Sequence, residues 1–421
     1  MTNVFDRLIG QDALAADLRA AATSARLVAA RLAETDDGAV SMFSGDPVDE
    51  LPVGVRESMS HAWLFTGPPG SGRSVAATAF AAALECQADE VGCGECRACT
   101  TVMGGTHGDV RHIVPDGLTI SVKQIRDIVA LSARRPTTGR WQIVVVEDAD
   151  RLTEQGANAL LKAVEEPPER TIFLLCAPSV SPEDIAITLR SRCRHAPLTA
   201  PTSEQIAAVL IERDGIDEES ARWAASVSGG HVGRAKHLAT DSSARAQRDQ
   251  ALSLARAATR DSTAFAAADK LVKTATEAAA AIGDEVDAAE TEELMTALGA
   301  GGTGKGTARP PRGTAGVIKE LEKRQKSRRT RIMRDVLDRA LVDLAALFRD
   351  ALAVSLGARV TMMHPDKEHD VVTPMADYAT PEKLLNCIEA VLECREVLEM
   401  NVKPKFAVGA MVVRLGDQLK R

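Results

Sequence analysis

The residues with the clearest chemical signature form a glycine-rich run, GPPGSGRS, at positions 67–74. Its spacing is close to G-x4-G-K-[ST], a loop whose glycines let backbone N–H groups surround a phosphate at the start of a helix. Arg73 replaces the lysine, and because a planar guanidinium is not interchangeable with an ammonium, we expect weakened nucleotide binding and inefficient hydrolysis. A glycine turn joining a strand to a helix is the alternative. The candidate nucleotide-binding residues here are Gly67, Gly70, Gly72, Arg73 and Ser74, the last as the magnesium ligand.

A second candidate for phosphate chemistry is the pair Glu147-Asp148, which follows an apolar stretch at 143–146. Phosphate-binding loops are commonly partnered by a strand that ends in Asp-Glu, which holds Mg²⁺ and positions the attacking water. Here the order is reversed, so both carboxylates are displaced by about a methylene group, and an error of ~1 Å can cost ~10²-fold in rate. The reversal predicts a poor ATPase. An acidic strand end without a role is the alternative.

Four of the eight cysteines lie close together in the sequence, and the glycines at 92 and 94 permit a tight turn between them. Four thiolates at this spacing can close a tetrahedron around Zn²⁺, and with no open position the metal would be structural. Free thiols left from a degraded site are the alternative. The candidate zinc ligands are Cys86, Cys93, Cys96 and Cys99. The remaining cysteines are predicted to be plain core residues: Cys176, Cys193, Cys387 and Cys394.

The segment Leu189-Arg190-Ser191-Arg192-Cys193 carries two arginines beside a serine and a cysteine. An arginine presented here could reach a neighbouring subunit's γ-phosphate and stabilise transition-state charge, an effect worth ~10³–10⁵ in rate. A solvated helix end is the alternative, and spacing alone leaves both open.

Alternating strands and helices position these candidates. Strands are predicted at 61–66, 110–114, 142–146 and 171–176, and helices at 75–84, 121–133 and 154–164. Ser121 and Gln124 have the spacing of a capping box, and Pro167-Pro168 end the last of these helices. The alternation predicts an α/β fold with a parallel sheet and helices on its faces.

Three domains are predicted: an α/β domain at 1–200 that carries the zinc module at 86–99, a small helical lid at 201–241, and an all-helical domain at 242–421. The lid would contain helices at 203–212 and 218–228. An amphipathic helix is predicted at 8–32 and a flexible insertion at 35–60. The Gly-, Thr- and Pro-rich stretch 299–316 is predicted to be a mobile linker, and the motif GKGT at 304–307 inside it lacks the strand and helix of a second phosphate loop.

Composition narrows the function classes. The net charge of −8 argues against a generic polyanion binder, which needs an excess of Lys and Arg at its contact surface. The apolar runs are far shorter than the ~20 residues that span a bilayer, and the N-terminus has no charged-then-apolar signal pattern. We therefore expect a cytosolic protein whose cysteines are reduced.

The run NALLKAVEEPPERTIFLLCA with the later LRSRC, the cysteine spacing and the opening VFDRLIGQ resemble bacterial sliding-clamp loaders of the AAA+ class over residues 1–240. Within that family, the altered loop and the Glu-Asp order resemble the delta-prime subunits of DNA polymerase III more than the ATP-hydrolysing gamma/tau subunits. The resemblance implies a P-loop (AAA+) domain, a lid and a C-terminal helical collar. It also implies a non-catalytic, cytoplasmic subunit of the polymerase holoenzyme. Such a subunit joins gamma/tau and delta in a ring that places the sliding clamp on primed DNA during replication.

The same resemblance assigns residue roles. Ser191, Arg192 and Cys193 match the family motif whose arginine acts in trans on the adjacent motor subunit, and the four cysteines match the family's zinc module. Arg234 matches the second sensor arginine of the lid. The polar residue that senses γ-phosphate falls at about Ala177-Pro178, neither of which donates a side-chain hydrogen bond. Whether ATP or ADP with Mg²⁺ still binds is left open.

Two other functions stay open. An ATP-hydrolysing gamma/tau-type subunit would be favoured by a lysine at 73, Asp-Glu at 147–148 and a polar residue at 177 or 178, none of which this sequence has. The other is a zinc-containing DNA-binding protein that contacts DNA through the basic stretch 319–334. The solvated face of a collar helix is the simpler interpretation of that stretch, because no aromatic residues interleave with it to stack on bases.

Overall fold

The computed structural model describes residues 3–36, 52–115, 117–168, 170–298, 314–400 and 402–420. They form two compact units. The P-loop unit is drawn from Met1–Pro115, Thr119–Ala225 and Gly230–Ala235, and the C-terminal unit from Asp116–Leu118, Ser226–Gly229 and Lys236–Arg421. The division into a 1–200 domain, a separate 201–241 lid and a 242–421 domain stays a prediction.

The P-loop unit is built on a parallel sheet whose described strands lie in the order β2-β3-β4-β1-β5. Strands β1, β3 and β4 are buried along their whole length, because a parallel sheet is covered on both faces and its strands are correspondingly apolar. The predicted α/β class is confirmed. The strands are β1 (Ala62–Thr66), β2 (Val110–Ile113), β3 (Gln142–Val146), β4 (Thr171–Ala177) and β5 (Arg194–Pro197).

Strand β5 is the one that the sequence analysis does not predict. It pairs with β1 at the edge of the sheet, with Leu64 opposite His195 and Phe65 opposite Ala196. Its sequence, RHAP, buries Ala196 alone. An edge strand of four residues needs little apolar surface, so it has no hydrophobic run to signal it.

Helices cover both faces of this sheet. On one face, Trp63 and Phe65 of β1 pack against Phe80, with ring centroids of Trp63 and Phe80 4.9 Å apart. On the other face, Phe173 and other β4 residues belong to a core with Leu160. The helices of the unit are α1 (Asp12–Asp36), α2 (Val53–Ser58), α3 (Arg73–Glu85), α4 (Arg97–Met103), α5 (Val122–Ser132), α6 (Glu154–Glu165), α7 (Ile187–Arg190), α8 (Ser203–Glu212), α9 (Glu218–Ser226) and α10 (Val232–Thr240), the last two reaching into the C-terminal unit.

Local signals predict the starts and ends of several helices correctly. Ser121 Oγ accepts from the backbone N–H of Gln124, and Gln124 Oε1 accepts from the backbone N–H of Ser121, which confirms the capping box. Helix α6 ends at Glu165, two residues before the paired prolines. The predicted helix at 8–32 begins later, at Asp12, because Gly10 has φ +70° and separates α1 from a 3-10 turn at Val4–Arg7.

The two segments predicted to be flexible lie largely outside the described residues. Positions 37–51 of the predicted insertion and 299–313 of the predicted linker, including the GKGT motif, are not among them. The flanking positions are helical: α1 extends to Asp36, α2 covers Val53–Ser58, and the helix after the linker begins at Ala315.

The C-terminal unit is helical, as predicted. Its core includes Leu337, Leu341 and Phe348 from a helix of 41 residues, packed with Val391 and Val408. None of the helices described in this structure has an apolar stretch that could cross a bilayer. The helices are α11 (Ser242–Ala257), α12 (Asp261–Ala297), α13 (Ala315–Ser355), α14 (Thr373–Tyr378), α15 (Pro381–Glu399) and α16 (Pro404–Leu419).

Candidate functional site

The glycine-rich loop joins the end of β1 to the start of α3, as a phosphate-binding loop does. Gly70 and Gly72 have φ of +89° and +91°, a region in which side-chain-bearing residues are strained. The backbone N–H of Gly67 donates to the carbonyl oxygen of Pro178 at the end of β4, 3.2 Å away. The strand, loop and helix predicted for phosphate binding are therefore present in that order.

Arg73 turns back over its own loop. Its Nη1 donates to the carbonyl oxygen of Gly67 at 2.9 Å, so a donor that would face a bound phosphate already has an acceptor within the loop. Its positive charge also lies near the acidic end of β3. Burial raises the pKa of Asp150, the Asp148 carboxylate adds to this rise, and the Arg73 guanidinium opposes it.

The segment before α10 lies directly against the loop. A Cβ placed on Gly70 would stand 2.5 Å from Cα and Cβ of His231, so the two backbones are in contact. His231 Nδ1 accepts from the backbone N–H of Arg234, 3.2 Å away, and so caps the helix that carries this candidate sensor arginine. Sequence reasoning missed His231.

Of the two carboxylates after β3, Glu147 contacts a histidine of the neighbouring strand. Glu147 Oε1 lies 3.0 Å from His112 Nδ1 on the neighbouring strand β2. The backbone of Asp148 begins a 3-10 turn, Ala149–Arg151. At the end of β4, Ala177 is fully buried and Pro178 contributes its carbonyl to Gly67. His112 is a second residue that the sequence analysis missed, because its partner is 35 positions away.

Arg192 lies apart from this loop, just after α7. Its side chain is 40% exposed, and Nη2 lies 2.6 Å from Oε1 of Glu165 at the end of α6. Nη1 donates to the carbonyl oxygen of Thr188 at 3.0 Å and to Ser191 Oγ at 3.3 Å. Burial raises the pKa of the Cys193 thiol to about 12, so this cysteine is a packing residue rather than a nucleophile. The geometry presents a cation at the surface, held by its own chain.

The four predicted zinc ligands are brought together. The sulfur atoms of Cys86, Cys93, Cys96 and Cys99 all lie within 4.8 Å of one another. Tetrahedral zinc with Zn–S bonds of ~2.3 Å needs sulfurs ~3.8 Å apart, close to the 4.0 Å between Cys96 and Cys86. The backbone N–H groups of Cys96 and Cys99 point at the sulfurs of Cys93 and Cys96, which favours thiolates. The cluster fits a zinc ion.

The other cysteines follow the prediction of core residues. Cys176, Cys387 and Cys394 are buried, and Cys193 is half-buried. Burial raises the pKa of Cys387 and Cys394 to about 12, which keeps both as neutral thiols.

Comparison with known proteins agrees with these observations. Residues 55–202 match the family model described as DNA polymerase III, delta subunit. The chain is 38% identical over 145 residues to DNA polymerase III subunit delta' of Pseudomonas aeruginosa, 37% over 183 residues to that of Escherichia coli, and 35% over 154 residues to subunit tau of Bacillus subtilis. The match covers 34% of this chain and 44% of the Pseudomonas protein, 42% and 54% for the Escherichia protein, and 36% and 27% for the Bacillus protein. The chain therefore spans about half of the relatives' length or less.

Relatives named delta' and tau are similarly distant, so identity does not separate the two types. Among solved structures, a DNA polymerase III gamma subunit-related protein from Thermotoga maritima aligns with a TM-score of 0.42 and 14% identity, over 86% of this chain and 95% of that one. The matched residues 55–202 contain the glycine-rich loop and the cysteine cluster, and in this region the chain is similar to subunits of DNA polymerase III.

Proposed function

We propose that this chain is a delta-prime-type subunit, which supports ATP-driven loading of a sliding clamp on primed DNA without efficient ATP hydrolysis of its own. The observation that carries the proposal is the contrast between two arginines. Arg73 is folded onto the carbonyl of Gly67 in its own loop, whereas Arg192 stands at the surface, 40% exposed. Arg73 is directed into its own loop, whereas Arg192 is held at the surface, where a neighbouring subunit could reach it.

Three features of the loop support weak hydrolysis. Nucleotide would have to displace Arg73 from Gly67, and even then a guanidinium would stand where phosphate-binding loops use a lysine. Glu147 is engaged by His112, so holding a hydrated Mg²⁺ would mean giving up that contact. Ala177 offers no side-chain hydrogen bond to a γ-phosphate. Binding of ATP or ADP as an inert ligand is compatible with all three.

Arg192 is the residue through which the chain would contribute chemistry. Its guanidinium would approach the γ-phosphate held by an adjacent gamma/tau-type subunit and stabilise charge in the transition state. Ser191 ends α7 and accepts from Arg192, while Cys193 anchors the segment in the core. The zinc cluster would have a structural role, and the C-terminal helical unit would serve as the collar that joins the gamma/tau and delta subunits.

The proposal is tested first on the isolated chain. Calorimetric titration with ATP and Mg²⁺ separates an empty loop from an occupied but inert one. Turnover of ATP by the purified chain should be negligible beside that of the complete assembly. Turnover within about tenfold of the assembly rate would instead favour an ATP-hydrolysing gamma/tau-type subunit, the alternative that the tau relatives keep open.

The trans role is tested in a reconstituted clamp loader. Arg192→Ala should leave assembly intact and reduce clamp- and DNA-stimulated hydrolysis at the neighbouring nucleotide site by ~10³-fold or more, the effect of trans-acting arginines. Arg190→Ala is the matched control, because Arg190 is an exposed arginine on the same segment whose Nη1 donates to the carbonyl of Val180. Equal rates for the two variants would refute the role of Arg192.

A further inference from the structure

Glu165 is the last residue of α6, and its carboxylate makes the shortest polar contact of Arg192, 2.6 Å from Oε1 to Nη2. A carboxylate in the last turn of a helix is disfavoured by the negative end of the helix dipole. Glu166 follows it and adds a second negative charge. The position is therefore a poor one for an acid unless a cation lies beside it, and Arg192 supplies that cation.

The guanidinium is held from two sides. Glu165 contacts Nη2 from α6, while the carbonyl oxygen of Thr188 and the hydroxyl of Ser191 accept from Nη1 on the side of α7. Within the described part of the chain, Nε has no acceptor. Both terminal nitrogen atoms of the guanidinium, Nη1 and Nη2, are thus engaged by the chain's own groups. The Nε–H remains able to donate to an oxygen atom of another molecule.

We infer that Glu165 is a positioning residue for Arg192, which orders the guanidinium before it meets the neighbouring subunit's nucleotide. This inference rests on the proposed function and specifies how that function is prepared. An exposed arginine loses rotamer freedom when it is fixed against a phosphate, and the contact with Glu165 removes part of that freedom in advance. Glu165 and Arg192 are both about 40% exposed, so solvent screens the repulsion between the carboxylate and an incoming phosphate.

Glu165→Gln is the test variant, because it keeps the shape of the side chain and removes its charge. In the reconstituted assembly, with ATP, clamp and primed DNA, it should lower stimulated kcat by about three- to tenfold, the scale expected for ordering one long side chain. KM for ATP should not change, because Glu165 orders Arg192 whereas the motor subunit binds the nucleotide. Glu166→Gln is the matched control: it removes the adjacent charge at the same helix end and should leave kcat unchanged.

A double-mutant cycle separates positioning from a general structural defect. In an Arg192→Ala background, Glu165→Gln should have no further effect on kcat, whereas a folding or assembly defect would persist there. Unchanged kcat for Glu165→Gln, alongside a large loss for Arg192→Ala, would overturn the positioning role and leave the trans role standing. A raised kcat would overturn it too, since the carboxylate would then be restraining the arginine. If Arg192→Ala itself has no effect, the proposed function fails first.

Discussion

The contact between the loop and the segment before α10 can be tested with two glycines whose φ angles are nearly equal. Gly70 and Gly72 have φ of +89° and +91°, so alanine at either position pays a similar left-handed strain, on the order of 1–2 kcal/mol. Their surroundings differ. A Cβ at Gly72 meets nothing within 4 Å, whereas a Cβ at Gly70 would stand 2.5 Å from Cα of His231.

The expected costs follow from this difference. Gly72→Ala should lower the free energy of unfolding by about 1 kcal/mol, because the strain is partly offset by the smaller conformational freedom of alanine in the unfolded chain. Gly70→Ala adds an overpacking cost of about 1–3 kcal/mol. The close atoms belong partly to the backbone of His231, which cannot rotate away as the end of a side chain can. Gly70→Ala should therefore cost more than Gly72→Ala by about 1–3 kcal/mol.

Urea unfolding monitored by tryptophan fluorescence is the appropriate assay. The chain has three tryptophans, Trp63, Trp141 and Trp223, and all lie in the P-loop unit, so their emission reports that unit. Equal destabilisation by Gly70→Ala and Gly72→Ala would refute the reasoning, since it would mean that the segment of His231 does not pack on the loop in solution.

Three further predictions concern parts of the fold that support the site. Metal analysis should find one zinc ion per chain. Cys96→Ser should lower the free energy of unfolding by several kcal/mol, which is less than the ~10–16 kcal/mol of zinc binding in zinc-finger peptides. A fully stable, metal-free wild-type protein would contradict this. Burial tends to raise the pKa of Asp109, but donors from Thr137, Thr138 and Gly139 outweigh it and hold the pKa well below its usual range. The ionised form therefore stabilises the fold above about pH 4. The loss of unfolding free energy caused by Asp109→Asn should be full at pH 7 and should shrink as the pH falls below about 4. Burial, and then the charge of Arg248, lower the pKa of His364, so the free energy of unfolding should fall as the pH drops below about 6.5. In His364→Gln, the dependence of stability on pH between about 7 and 5 should be weaker. An unchanged slope would exclude His364 as the source of this pH dependence.

The parts of the fold that the sequence predicts are those encoded locally. Strand β3 is a continuous apolar run, and its predicted bounds coincide with Gln142–Val146. The capping box at Ser121 depends on residues three positions apart, and the glycine loop carries its own conformational requirement in Gly70 and Gly72. Neighbouring residues decide each of these features, so periodicity and spacing are sufficient to find them.

The parts that the sequence does not predict depend on contacts between distant residues. His112 meets Glu147 because the pairing of β2 with β3 sets Ile113 opposite Val146. Glu165 meets Arg192 because α6 and α7 lie side by side. Neither spacing has a periodic signature. The sequence could therefore identify Arg192 by its motif, while the group that orders it became visible only with the packing of the two helices.

The basic stretch 319–334 shows the same dependence on distant contacts and bears on the DNA-binding alternative. Arg328 donates to Asp287 and Glu290, and Arg329 Nε donates to Asp287, all across to α12. Part of the positive charge that would neutralise phosphates is thus paired within the helical unit, and phosphate binding would have to compete with these ion pairs. On a chain with net charge −8, this pairing weakens the case for a polyanion-binding surface at α13.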